Sequence, residues 1–118
     1  MDQPILVVDD EQDIINFLSR LLTDNGYRVV TAENGVEALE VLERELPRLI
    51  LLDLQMPHET GTGLFRKLRK NDRLAQIPVI VISGLAGRNV AVSKDVPVLD
   101  KPIDEEQLLQ EVQRALGA

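Results

Sequence analysis

Near its start the chain carries four consecutive apolar residues followed directly by three acids, Ile5-Leu6-Val7-Val8-Asp9-Asp10-Glu11. Two further continuous apolar runs occupy residues 49–52 and 79–82, and a weaker run lies at 96–99. Continuous apolar runs are typical of strands covered on both faces, as in a parallel sheet. A more polar run at 28–32 suits an edge strand. Pro97 places the last run at the other edge, because proline cannot donate a hydrogen bond to a neighbouring strand.

The segments between these runs have apolar residues at helical spacing. They include residues 11–25, a stretch that begins at the capping residue Asn34, residues 61–70, and a stretch that begins at the capping residue Asp104. Strands that alternate with helices imply right-handed βαβ units and one parallel sheet. The sequence therefore predicts an α/β fold with five strands and about five helices.

Length and composition are those of one ordinary globular domain. The chain has 118 residues, and 13 Lys and Arg against 20 Asp and Glu leave a net charge of −7, which argues against nucleic acid or an anionic membrane as a direct partner. The chain has no Cys, which excludes a disulfide scaffold and a thiol nucleophile. No apolar run approaches the roughly 20 residues of a membrane span and no signal peptide opens the chain, so we expect a cytoplasmic protein.

Polar residues follow the apolar runs where each predicted strand ends. Asp9 and Asp10 follow the first strand, Asp53 the third, Ser83 the fourth and Lys101 the fifth. Ligands of open α/β sheets bind outside the carboxyl ends of the strands. Crowded carboxylates repel one another, and Mg²⁺, which prefers oxygen ligands, would relieve that repulsion. The ammonium and the hydroxyl could hold phosphoryl oxygens, so the pattern favours phosphoryl transfer with an Asp as nucleophile.

Each of these residues alone also has an ordinary structural explanation. Asp9 and Asp10 could cap a helix, Asp53 and Ser83 could be turn residues, and Lys101 could be a solvated surface lysine. Their joint placement at the ends of successive strands is what favours a functional site.

Four of these strand-end segments also match one known family in their order along the chain. The segments are Ile5-Leu6-Val7-Val8-Asp9-Asp10-Glu11, Leu51-Leu52-Asp53-Leu54-Gln55-Met56-Pro57 with Gly61, Val81-Ile82-Ser83-Gly84, and Lys101-Pro102. Together they resemble the receiver domain of two-component response regulators, and the resemblance covers residues 1–118 as one domain. It implies a flavodoxin-like, three-layer, doubly wound fold with five parallel strands in the order 2-1-3-4-5. That order places the 28–32 run and the Pro97 run at the two edges.

The resemblance implies a phosphoacceptor and a set of metal ligands. Asp53 matches the phosphoacceptor of the family. Asp10 and Asp53 match direct Mg²⁺ ligands, together with the backbone carbonyl of Gln55. Asp9 would act on the metal through bound water.

The resemblance also implies roles for Lys101 and Ser83, and it implies a set of partner proteins. Lys101 would pair with one phosphoryl oxygen, and Ser83 would hydrogen-bond another after activation. The Lys101–Pro102 bond is expected to be cis. The phosphoryl group would come from a histidine kinase or a histidine phosphotransfer protein, and the recipient of the signal would be an output domain or a downstream protein. The domain would then be a signalling switch and not an enzyme.

The match departs from the family at two places. Val98 and Leu99 occupy the fifth strand where the family usually carries Tyr, Phe or His. The segment between the fourth and fifth strands is short and contains Gly84 and Gly87, which predicts a short or irregular fourth helix and a switch carried by the backbone of 84–96.

Alternative functions depend on the same residues. A degenerate receiver would serve as a phosphorylation-independent binding module. The missing aromatic residue and the weak fourth helix favour this alternative, and the intact set of Asp9, Asp10, Asp53, Ser83 and Lys101 disfavours it. A phosphatase of the haloacid-dehalogenase type would need a second Asp where Gln55 stands, and a dinucleotide-binding fold would need glycines after the first strand. The partner kinase, the oligomeric state and the presence of further domains stay open.

Overall fold

A computed structural model describes residues 3–53, 61–84 and 96–117. In chain order the elements are β1 (Ile5–Val8), α1 (Gln12–Asp24), β2 (Val29–Ala32), α2 (Gly35–Arg44), β3 (Leu49–Asp53), α3 (Gly61–Lys70), β4 (Val79–Ser83), β5 (Val98–Asp100) and α4 (Glu105–Ala115). The five strands pair in parallel in the order β2-β1-β3-β4-β5, which confirms the predicted fold. None of the helices in these ranges has the length and apolar content that a membrane crossing needs.

The continuous apolar runs are explained by a core on each face of the sheet. Side chains alternate between the two faces along a strand, so Leu6 and Val8 pack with α2 and α3 while Ile5 and Val7 pack with α1 and α4. All residues of β1, β3 and β4 are buried. The three central strands therefore have no solvent-facing side, and the helices on either side complete a three-layer fold.

The two edge strands are the ones that the sequence predicts. β2 is half-buried and pairs only with β1 among the described strands. The last strand begins at Val98, so the predicted run 96–99 starts two residues too early. The physical reason is that Pro97 has no N–H; its carbonyl accepts a hydrogen bond from the Val81 N–H (2.9 Å), and regular pairing begins after it.

Two predicted features lie outside the described residues. The predicted fourth helix and the backbone switch fall mostly in 85–95, and the Gln55 carbonyl falls in 54–60. The last helix of the described ranges, α4, is therefore the one predicted to begin at Asp104.

Both predicted helix caps are present. The Asn34 side chain accepts a hydrogen bond from the Glu37 N–H (2.8 Å), and Asp104 accepts one from the Gln107 N–H (3.0 Å). The Glu37 carboxylate in turn accepts a hydrogen bond from the N–H of Glu33, one residue before the cap (2.9 Å). The bonds to Asn34 and Asp104 satisfy N–H groups that the first turn of each helix leaves unpaired.

Removing the cap of α2 should lower the stability of the domain. We expect Asn34→Ala to reduce the free energy of unfolding by about 1 kcal/mol, because the Glu37 N–H loses its acceptor. Asn16→Ala is the matched control: Asn16 is an exposed residue within α1, where alanine favours the helix. Urea denaturation followed by circular dichroism measures both. Equal midpoints for Asn34→Ala and the parent would contradict the capping role.

Candidate functional site

The register of the central strands places two acids side by side. Val8 of β1 lies opposite Leu52 of β3. The next residue along each strand, Asp9 and Asp53 respectively, is therefore a neighbour of the other at the carboxyl end of the sheet. Both are buried, with 1% of each residue exposed. Burying two neighbouring carboxylates at one edge of the sheet costs free energy unless a cation lies beside them.

The other half of the sheet adds Ser83 and Lys101 to the same edge. Asp53 lies opposite Ile82, and the following residue, Ser83, is buried at the end of β4. Ser83 pairs with Asp100, and the Lys101 N–H donates to the Ser83 carbonyl (3.1 Å). Strands lie about 4.8 Å apart, so Lys101 starts two strands away from β3 and reaches the acids through its long side chain.

Asp9, Asp10 and Asp53 form a compact group of oxygen donors. One carboxylate oxygen from each lies within 4.8 Å of the others, with Asp10 exposed and the other two buried. Asp9 Oδ1 accepts a hydrogen bond from the Glu11 N–H (2.9 Å), whereas Asp9 Oδ2 is buried and accepts none. Carboxylate oxygens in this number, with one exposed side for water, fit Mg²⁺.

The Lys101 ammonium lies among these acids. Its Nζ is 3.0 Å from Glu11 Oε1, 3.4 Å from Asp9 Oδ2 and 3.7 Å from Asp53 Oδ2. Burial would lower the pKa of Lys101, but the hydrogen bond to Glu11 and the charges of the neighbouring acids outweigh burial and raise it above its ordinary value. The ammonium is therefore charged at neutral pH.

Lys101 does not fully compensate the buried charge of Asp9. Burial raises the pKa of Asp9 above its ordinary value, and this effect outweighs the lowering by the Glu11 N–H and by the Lys101 ammonium. A buried carboxylate in this condition gains from a further positive charge close to it. Together with the donor group, this makes the acid cluster fit a divalent cation.

The structure brings Asp9, Asp10, Asp53, Ser83 and Lys101 to one edge of the sheet, as the spacing of the sequence predicts. The Lys101–Pro102 peptide is cis, as the resemblance implies. Val98, which stands where the family usually carries an aromatic residue or His, is half-buried in β5 opposite Val81.

Sequence reasoning assigned no role to Glu11. It stands directly after Asp9 and Asp10, and the structure makes it the nearest carboxylate to Lys101 among the three acids that contact this ammonium. The signal in the sequence was the third consecutive acid after β1, but nothing in that run indicates which acid the lysine approaches.

Comparison with known proteins identifies the family. The profile of the response regulator receiver domain matches residues 5–113. The chain therefore belongs to the response regulator receiver domain family, and its class of function is signal transduction in two-component phosphorelays.

Curated relatives include both long and short proteins. The response regulator PleD of Caulobacter vibrioides is 39% identical over 116 residues, which are 95% of this chain and 26% of PleD. The protein Rrf1 of Nitratidesulfovibrio vulgaris is 32% identical over 117 residues, which are 99% of this chain and 85% of Rrf1. A probable transcriptional regulator, ycf27 of Pyropia yezoensis, is 45% identical over 83 residues. The chain spans 33% of the ycf27 protein and 26% of PleD.

Solved structures share the whole fold. A sensor protein from Polaromonas superposes with a TM-score of 0.89 at 29% identity, covering 99% of this chain and 98% of that one. The receiver domain of the sensor histidine kinase PA1611 from Pseudomonas aeruginosa gives a TM-score of 0.89 at 25% identity and full coverage of both chains. That domain was solved with a magnesium ion coordinated in its active site cleft.

Proposed function

We propose that Asp53 accepts a phosphoryl group from the phosphohistidine of a histidine kinase or a histidine phosphotransfer protein, in a reaction that requires Mg²⁺. The observation that carries the proposal is the position of Asp53, which ends β3 within the acid group, with the Lys101 ammonium 3.7 Å from its Oδ2. Residues 1–118 would act as one receiver domain in the cytoplasm and would pass their state to an output domain or a downstream protein.

The acid group would hold the cation. Asp10 and Asp53 would bind Mg²⁺ directly and Asp9 would act through water, with the Gln55 carbonyl as a further ligand from outside the described residues. When bound, Mg²⁺ would neutralise negative charge between the Asp53 carboxylate and the incoming phosphoryl group. The magnesium ion in the active site cleft of the PA1611 receiver, which has the same fold, supports a magnesium site in this domain.

In the transfer step an Asp53 carboxylate oxygen attacks the phosphorus atom. The new O–P bond forms as the P–N bond to histidine breaks, and the electron pair of that bond returns to the imidazole nitrogen, which takes up a proton. Lys101 would donate to one phosphoryl oxygen, and the Ser83 hydroxyl, which is buried at the end of the neighbouring strand, would donate to another. The chain itself therefore supplies the nucleophile and the groups that orient the phosphoryl oxygens.

Incubation with acetyl phosphate tests this function without the cognate kinase. We expect intact-mass spectrometry to show one added phosphoryl group in the presence of Mg²⁺ and almost none in EDTA, because an anionic donor must approach several carboxylates. Equal modification under both conditions would contradict the metal requirement. No modification under either, in folded protein, would favour a phosphorylation-independent binding module.

A further inference from the structure

The three acids that contact Lys101 differ in their exposure to solvent. The Glu11 side chain is 58% exposed, whereas the side chains of Asp9 and Asp53 are 2% and 1% exposed. The contact between Lys101 and Glu11, a hydrogen bond of 3.0 Å, is the shortest of the three. The ammonium therefore lies between the exposed Glu11 carboxylate at the rim of the site and the two buried carboxylates, and it is nearest to Glu11.

The position of this ammonium matters because it competes with a cation. Lys101 and a divalent ion would be attracted to the same oxygens of Asp9 and Asp53, and the two positive charges repel each other over these short distances. Any group that draws the ammonium toward the rim leaves those oxygens more available to the metal.

The side chain of Glu11 is available for this purpose. Glu11 is the N-cap residue of α1, but its side chain makes no capping hydrogen bond. Its backbone N–H is held by Asp9 Oδ1 (2.9 Å), which fixes the start of the side chain beside the acid pair. The Glu11 carboxylate therefore accepts a hydrogen bond from Lys101 and does not cap the helix.

We propose that Glu11 is a positioning residue that holds Lys101 at the rim and thereby keeps Asp9 and Asp53 available to Mg²⁺. The inference rests on the metal site of the proposed function. Without the Glu11 charge, the ammonium moves closer to the two buried carboxylates that it already contacts, and the cation competes with it more strongly for their oxygens.

Calorimetric titration with MgCl₂ tests this inference without a phosphodonor. We expect Glu11→Gln to weaken Mg²⁺ binding about five- to tenfold. Asp13→Asn, an exposed acid in the first turn of α1, removes the same charge without contacting Lys101 and should weaken binding only about twofold, because solvent and salt screen its field. Equal effects of the two variants would overturn the inference, and this comparison needs no change at Lys101.

A double-mutant cycle separates positioning from direct metal ligation. In a Lys101→Met background, Glu11→Gln should weaken Mg²⁺ binding only about twofold, because no ammonium remains to be positioned. An undiminished effect there would overturn the inference and would make Glu11 a metal ligand. If the folded parent binds no Mg²⁺, the proposed metal site is wrong and the inference is overturned with it. If the parent binds Mg²⁺ but Glu11 and Lys101 show no coupling in this cycle, the proposed function stands and only the role of Glu11 is overturned.

Discussion

Asp53→Asn is expected to abolish phosphorylation by acetyl phosphate, so that intact-mass spectra of the variant match those of untreated protein. An amide cannot replace the carboxylate as nucleophile, and among the described residues Asp53 is the acid that ends β3 within the donor group and contacts Lys101. The change also removes one negative charge and one oxygen donor from the acid group. Rate and extent of modification should both fall to the level of an unfolded control.

Asp72→Asn is the matched control for this experiment. Asp72 is exposed in the turn after α3, far along the chain from the strand ends, and its replacement should leave phosphorylation unchanged. Full modification of Asp53→Asn, mapped by peptide sequencing to another residue, would contradict the assignment of the acceptor.

Mg²⁺ should raise the melting temperature of the domain through Asp10. At a Mg²⁺ concentration 100 times Kd, binding to the folded state stabilises it by about 2.7 kcal/mol, which corresponds to roughly 10 °C for a domain of this size. Asp10→Asn should lose most of this increase, because it removes the exposed member of the donor group. Without metal the variant should melt at or above the temperature of the parent, because one source of repulsion among the acids is gone.

Differential scanning calorimetry with and without Mg²⁺ measures both effects. Asp13→Asn serves as the control, since it lies on α1 outside the donor group and should keep most of the increase. A parent protein whose melting temperature does not respond to Mg²⁺ would show that the metal site is wrong. A metal-free Asp10→Asn variant that is much less stable than the parent would show that Asp10 has a structural role.

The central strands and the placement of the acids could be predicted because they depend on local patterns. Continuous apolar runs indicate strands buried on both faces, and the residue after each run then lies at the carboxyl end of the sheet, as Asp9 does. The caps at Asn34 and Asp104 were equally local, since cap and partner are three residues apart.

Other features depend on contacts that local patterns do not encode. The predicted start of β5 is two residues too early because the apolar pattern does not show where backbone pairing begins after Pro97. The hydrogen bond between Glu11 and Lys101 joins residues 90 positions apart. This bond depends on the path of the long Lys101 side chain across the sheet. The sequence alone does not distinguish which of the several acids this side chain approaches.

The reach of Lys101 links the outermost strand of the sheet to its centre. Its backbone follows β5, a strand of three residues at the edge, while its ammonium lies beside acids that belong to the first and third strands. A shift of this edge strand by about an ångström, the size of displacement that matters for oriented reaction groups, would move the ammonium by a similar distance relative to Asp53. The position of this short edge strand therefore sets where the ammonium stands relative to Asp53, although the two residues follow different strands.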